Sequence, residues 1–178
     1  MTTRRGSFRR VIVLGIALMG ATLPACADVV VHSASNPSAH FERYRTFSFG
    51  PAEGPPDGYQ SSELTPEVRR RLVPLIAAAL TSRGYSAATD KGDFFIMFGA
   101  GRRTVSTPKL PVEREWRPDD ESADFVQGSV VVDAFETSTG TKVWHAQSRT
   151  TISPDHLDEE ALKDSVNALA ASFPRATP

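Results

Sequence analysis

Asp93 introduces Phe94-Phe95-Ile96-Met97-Phe98, five apolar residues in succession, and nothing else in the sequence restricts the fold as sharply. So short a run cannot make a stable helix, and without polar residues in alternation it is apolar on both sides. It reads as a strand buried at the centre of a sheet. Partners follow on its C-terminal side, where Gln127 to Phe135 and Lys142 to Ile152 form the clearest hairpin, joined through Ser138-Thr139-Gly140-Thr141. A two-residue Thr139-Gly140 turn places Phe135 opposite Trp144 and Asp133 opposite Ala146, and a three-residue turn shifts that register. On the N-terminal side, Val29-Val30-Val31 is a β-branched run suited to a strand. In the stretch Phe41 to Phe49, Phe47 and Phe49 alternate with polar neighbours at the period of a second strand.

Two helices accompany the strands. Thr65-Pro66 is a good helix start, the hydroxyl accepting a backbone N–H and the proline standing where no donor is needed. Val68, Leu72, Leu75, Ile76, Ala79 and Leu80 recur at steps of three and four as one apolar stripe, and Gly84 ends the helix as a left-handed cap. Pro74 removes one backbone hydrogen bond inside this run and is expected to bend or split it. The second helix runs from about Leu157 to Ser172, with Asp155, Asp158, Glu159 and Glu160 near its positive end. Leu162, Val166, Leu169 and Phe173 form its stripe, and Pro174 stops it. Residues 50–64, rich in Gly and Pro, read as an exposed loop; Arg102 to Asp124, with Pro108, Pro111 and Pro118, read as either a long mobile loop or a frayed strand pair. The order β-β-α-β-β-β-α predicts an α+β domain, a mostly antiparallel sheet with both helices packed on one face as a two-layer sandwich. A chain of 178 residues suffices for one such domain and not for two.

Residues 1–27 are of another kind. Arg4, Arg5, Arg9 and Arg10, the apolar run Val11 to Leu23 and small residues ahead of a cut are the three parts of an export signal. That run of 13 residues makes a signal core, whereas a membrane-spanning helix needs about 20. Two cuts compete. Leu23-Pro24-Ala25-Cys26 resembles a bacterial lipobox, whose cysteine becomes the lipidated first residue; Ala25-Cys26-Ala27 reads as A-x-A, which ordinary signal peptidase cuts after Ala27, discarding the cysteine. Lipid attachment at Cys26 is the preferred reading, because it is the only cysteine and stands where a lipobox needs it. The expected partner is then the membrane, through a lipid anchor. Ala27 rather than Asp after the cysteine implies the periplasmic face of the outer membrane, with the soluble periplasm as the alternative. The arginine pairs raise a twin-arginine route, but the residues after them match that motif poorly. Without a second cysteine, the domain at residues 28–178 holds together by its core alone. Once the leader arginines are set aside, 16 of the 20 basic residues face 21 acidic ones, which argues against nucleic-acid binding.

Reactive constellations are scarce. His32, His40, His145 and His156 lack H-x-x-x-H spacing and there is no cysteine pair, so no metal site is expected. G-x-S-x-G is absent and no serine or histidine stands out, so no catalytic residue and no cofactor is assigned. Gly99-Ala100-Gly101 is a lone G-x-G after a strand. A dinucleotide site also needs a third glycine opening a helix, so these glycines read as a strand end leaving the sheet. Asp133 and Asp93 make an acid–base pair only if they face one cleft; the plain reading is an exposed strand residue and a turn residue. His145 is expected on the solvated strand face, and Arg69-Arg70-Arg71, pointing in different directions on a helix, as a solvated patch. Trp116, beside Arg114 and Arg117 in a proline-flanked loop, is the candidate partner contact, since an exposed Trp–Arg cluster suits one; its other reading is a local anchor over the sheet.

The ordered signals Phe41-x-x-Tyr44-x-Thr46-Phe47, Leu80-x-x-Arg83-Gly84-Tyr85, Asp93-Phe94, Gly128 opening the hairpin, Val143-Trp144 and Phe173-Pro174 resemble the bacterial envelope lipoproteins that share the domain of unknown function DUF4136. Ala146, Phe49 and Glu136 depart from residues frequent there. The resemblance implies a signal peptide, a lipidated cysteine matching Cys26, a small α+β sandwich and an unassigned role at the cell envelope; it transfers no catalytic residue. The expectation is a non-enzymatic envelope lipoprotein whose sheet or long loops contact another envelope protein. Two alternatives are a binding module for a small apolar or lipid-like ligand, suggested by Phe94 to Phe98, and a hydrolase using Asp133, His145 or Asp93.

Overall fold

A computed structural model of the chain describes residues 29–107 and 123–177. Its elements in chain order are β1 (Val30–Ser35), a 3-10 turn (Phe41–Arg43), β2 (Thr46–Phe49), α1 (Thr65–Ser82), β3 (Ser86–Ala87), β4 (Phe94–Thr107), β5 (Ala123–Glu136), β6 (Lys142–Ile152) and α2 (Glu159–Ser172). The strands form one six-stranded sheet in the order β1-β6-β5-β4-β2-β3, with both helices on one face, so the α+β sandwich is the expected one. Phe94, Ile96 and Phe98 are buried in β4 between β5 and β2, as their unbroken apolarity requires. On α1, Leu72, Ile76, Ala79 and Leu80 are buried, as are Leu162, Val166 and Leu169 on α2.

The sheet is not wholly antiparallel. β2 runs parallel to β3 and to β4, whereas the remaining pairs are antiparallel. The cause is the crossover through α1, which returns the chain to the end of the sheet from which β2 started. β3 adds a strand to the predicted order, and at two residues it is too short to leave a periodic signal. Pro74 does not split α1, a single helix of 18 residues. Both Pro74 and Arg70, whose carbonyl the proline leaves unpaired, are exposed, so water can satisfy that group. The Thr65 hydroxyl accepts the N–H of Ser62 at 2.7 Å, in the preceding turn rather than in the helix. Asp158 caps α2, accepting the N–H of Ala161 at 2.9 Å.

Of the residues that carry the family resemblance, the aromatic ones meet in the core. Phe173 lies edge-on to Trp144 at 4.9 Å and to Tyr85 at 5.5 Å, and Phe94 is 5.2 Å from Tyr85. Arg83 donates to the Phe173 carbonyl and the Tyr85 hydroxyl to that of Pro174, while Gly84 turns the chain at a φ of +95°. These side chains lock the C-terminal segment onto the end of α1; they hold the fold together.

On the face away from the helices, three expectations fail. The hairpin register is displaced by one residue: Asp133 stands opposite His145 and Ala134 opposite Trp144, and a bulge after Ala134 brings Phe135 opposite Lys142. The turn is longer than two residues, since the N–H of Glu136 bonds the Thr141 carbonyl and Gly140, at a φ of +68°, donates back to Glu136. The connector after β2 is not a free loop either. The N–H groups of Gly50 and Glu53 donate to the carbonyls of Ile96 and Phe98, Gln60 bridges to Arg102, and Tyr59 is buried. Gly99 and Gly101 lie inside β4 rather than at a strand end, because the connector crosses them. A Cβ on Gly99 would stand 2.1 Å from the Gly54 carbonyl oxygen, and one on Gly101 2.7 Å from Pro55. The stretch Arg102 to Asp124 continues the β4–β5 strand pair to Thr107 and from Ala123. Its middle, with Arg114, Trp116 and Arg117, lies outside the described residues, as does Cys26 with the leader.

Candidate functional site

Alternation along β4, β5 and, from Trp144 onward, β6 sends even-numbered residues toward the helices and odd-numbered ones to the open face. The register therefore makes Met97, Asp133 and His145 cross-strand neighbours there. Asp133 is 3% exposed, which corrects its reading as an exposed strand residue. Its Oδ2 accepts from Lys142 Nζ at 2.7 Å and its Oδ1 lies 2.6 Å from His145 Nδ1. The turn sets Lys142 opposite Phe135 and the bulge after Ala134 sets His145 opposite Asp133, so one carboxylate reaches both. A buried carboxylate held this way fixes the orientation of the imidazole, as an outer-shell carboxylate does for a working histidine. His145 and Lys142 are themselves half-exposed.

His145 opens on a groove. One wall is the connector at Glu53, Pro56 and Asp57, and the other carries Val131 and Gln147. The Ser129 hydroxyl on the same face is engaged, donating to the Ser148 carbonyl at 2.7 Å and accepting from Gln147 at 3.0 Å. Beside the cluster, Phe95 and Phe135 stack at 5.1 Å, and the Lys142 ammonium lies 5.3 Å from the Phe135 ring centre. Among the described residues, no group of three or more His, Cys, Asp or Glu side chains is placed to hold a metal ion.

Asp93 does not join Asp133. It accepts from the N–H groups of Arg45 and Thr46 at 2.8 and 2.9 Å and from the Thr46 hydroxyl at 3.0 Å, clamping the start of β2. Burial alone would raise its pKa, but these hydrogen bonds outweigh it and hold the carboxyl below its ordinary value. The arginine run on α1 is tied down at two positions: Arg69 donates to the Glu53 carbonyl at 2.7 Å, and Arg71 lies 3.1 Å from Glu159 of α2. Of the cluster, Asp133 and His145 are visible in the sequence as residue types; Lys142 and Gln147 carry no such signal, and aligning all four takes both the Thr137 to Gly140 turn and the bulge after Ala134, which has no sequence signature.

A second recess lies between the first turns of both helices and the sheet, with about 80 Å³ of space lined by Thr65, Val68, Thr150, Leu162 and Ser165. It reaches β4 at Ala100 to Arg102 and not at Phe94 to Phe98; beside Ile96 the space left is about 20 Å³. Small-molecule sites span about 300–1,000 Å³, so the phenylalanine-rich strand is core.

The profile of the domain of unknown function DUF4136 matches residues 31–175, from β1 to beyond α2. The chain belongs to the DUF4136 family. A sequence search of the curated proteins gives no match. Among solved structures, this DUF4136 protein is similar to a DUF4136 family protein from Bacteroides thetaiotaomicron, at 13% identity and a TM-score of 0.52 over 80% of this chain and 94% of that one. It is also similar to a PDZ domain protein from Parabacteroides distasonis, at 12% identity and a TM-score of 0.53, over 84% of this chain and 37% of that one. PelC from Paraburkholderia phytofirmans gives 14% identity and a TM-score of 0.47 over 79% and 93%. At such identities the Bacteroides and Parabacteroides structures speak for the DUF4136 fold alone.

Proposed function

We propose that this DUF4136 protein is a non-enzymatic accessory module of the cell envelope, held at the periplasmic face of the outer membrane by a lipid on Cys26 and offering its open sheet face to another envelope protein. The observation that carries the reading is a spacing: only Ala27, Asp28 and Val29 separate Cys26 from β1. Three extended residues reach about 10 Å, so an acylated cysteine would keep the start of β1 close to the headgroups instead of on a long stalk. Each buried methylene contributes about 0.8 kcal/mol, which makes a multi-acyl anchor nearly irreversible. Phe95, Phe135 and Met97, half-buried on the open face beside Lys142, give a partner the aromatic and sulfur-bearing surface that interfaces favour. Trp116 with Arg114 and Arg117 is the second contact candidate, on sequence grounds.

The test is chemical. The wild-type protein is expected to fractionate with membranes and to carry a lipid mass increment, both lost in Cys26→Ala. A wild-type mature mass beginning at Asp28 would overturn the tether and leave a soluble periplasmic protein. Crosslinking in intact cells, followed by mass spectrometry, then names the partner; crosslinks confined to the helix-covered side would overturn the assignment of the open face.

A further inference from the structure

The two edges of the sheet are built differently. β3 is two residues long, and so short an edge offers little to pair with. β1 has six residues, Val30 to Ser35, pairs with β6 without a bulge, and carries no charged residue or proline that would discourage another strand. Among the described residues nothing bonds to its outer side. The ladder tells which groups are free. Asn36 donates its N–H to the Val143 carbonyl at 2.9 Å, and this pair extends the register Ala34–His145, His32–Gln147 and Val30–Arg149. Bonded pairs alternate with unbonded ones in an antiparallel ladder. The even-numbered residues therefore bond β6, while Val31, Ser33 and Ser35 turn N–H and C=O outward.

We propose that this edge pairs with β1 of a second copy of the chain, antiparallel across a two-fold axis at Ser33. Centred there, Ser33 exchanges two hydrogen bonds with its own counterpart, and Val31 does the same with Ser35 of the second copy on either side. Every outward group is used, and the two sheets become continuous. The side chains permit it. Val31 packs toward the helix layer, so Ser33 and Ser35 share that face, and the axis is flanked by two small hydroxyls able to bond each other. On the open face His32 opposes Ala34, and no like charges stand opposite one another. Such a contact is isologous and closed, which limits it to a dimer. This self-complementarity is what selects a second copy over an unrelated strand.

Cys26 is the only native cysteine, so exported Cys26→Ala/Ser33→Cys carries a single thiol. Bonded antiparallel pairs place their Cα atoms about 5.5 Å apart, within the range of about 4.4–6.8 Å that a disulfide spans. Mild oxidation is expected to link most of this variant into dimers on a non-reducing gel, with at least fivefold less from Cys26→Ala/His32→Cys, whose counterpart across the axis is Ala34. Equal yields, or a monomeric Ser33 variant, would overturn the proposal. Ser33→Pro supplies an independent reading, because it removes only an outward N–H, a position at which an edge strand tolerates proline. It should keep the far-UV spectrum of the parent and raise the dimer dissociation constant at least tenfold in sedimentation equilibrium. An unchanged dissociation constant, or a parent that sediments as a monomer throughout, would equally overturn it. None of these readouts depends on the lipid.

Discussion

On the helix side of the sheet, Phe94, Ile96 and Phe98 pack with Leu72, Ile76 and Val166 in one buried apolar cluster. One position along the same strand, Phe95 and Met97 are half-exposed, and their cross-strand neighbours Phe135 and Asp133 belong to an aromatic stack and a charged cluster. The strands are shared, so strand propensity does not separate the two faces; the cover does. Two amphipathic helices seal one face, while a Gly/Pro-rich connector lies over part of the other. The sealed face carries stability. The open face is assembled from contacts that depend on register and can be altered without unfolding the domain, which is where a recognition surface can reside.

Neighbouring phenylalanines sharpen this most. Phe94→Ala, at a position with no exposure, should lower unfolding free energy in urea by about 3–5 kcal/mol, the usual loss for a buried phenylalanine. Phe95→Ala should lower it by about 1 kcal/mol, the stack with Phe135 being the main contact removed. Comparable losses at the two positions would erase the distinction between the faces.

That asymmetry also marks what the sequence could tell. The covered face is legible because its determinants are periodic: the α1 stripe from Val68 to Leu80, the α2 stripe from Leu162 to Phe173, and the unbroken run at Phe94 to Phe98. The open face rests on determinants without a period. The turn holds Thr137 to Gly140 and sets Phe135 opposite Lys142, and the bulge after Ala134 then brings His145, not Trp144, opposite Asp133. The connector is held by backbone hydrogen bonds from Gly50, Glu53 and Gln60, which no side-chain pattern announces. The parallel pairing of β2 with β4 follows from the length of the crossover and not from either strand. Gly99 and Gly101 are conspicuous, yet their reason, the overlying connector, lies more than 40 residues away in sequence at Gly54 to Tyr59.

The connector gives the next largest effect. Gly99→Ala drives a Cβ into the Gly54 carbonyl, a backbone atom that cannot rotate aside, and should cost about 2 kcal/mol. The loss should be accompanied by faster amide hydrogen exchange at Gly50 and Glu53. Unchanged exchange there would mean that the cover is not fastened to β4 as described.

Asp133→Ala follows, at about 1 kcal/mol in the same urea experiment. Stranding a buried charge normally costs about 3–5 kcal/mol, but Lys142 and His145 are half-exposed and regain water when their acceptor is removed. A loss in the upper range would show that the open face is sealed more tightly than its exposure suggests.

A dependence on pH distinguishes a buried group from an exposed clamp. Tyr44 is buried and donates to Glu136 at 3.0 Å; burial first, and then that hydrogen bond, push its pKa from 10.0 up to about 12. In the unfolded chain the phenol releases its proton near 10, while the folded protein retains it to about 12, so between these values the unfolded state binds fewer protons and stability falls as pH rises. The contribution is fully present below pH 10. Tyr44→Phe should flatten this alkaline decline in urea midpoints measured from pH 9 to 12, leaving the part due to Tyr85, whose pKa burial also raises. Asp93 acts with the opposite sign, because its folded pKa is depressed: its contribution is present above 3.8 and disappears as pH falls through the folded value. Since Asp93 is largely open to solvent, Asp93→Asn should change the acid limb less than Tyr44→Phe changes the alkaline one. An acid limb that proved the steeper of the two would reverse which of these groups the fold depends on.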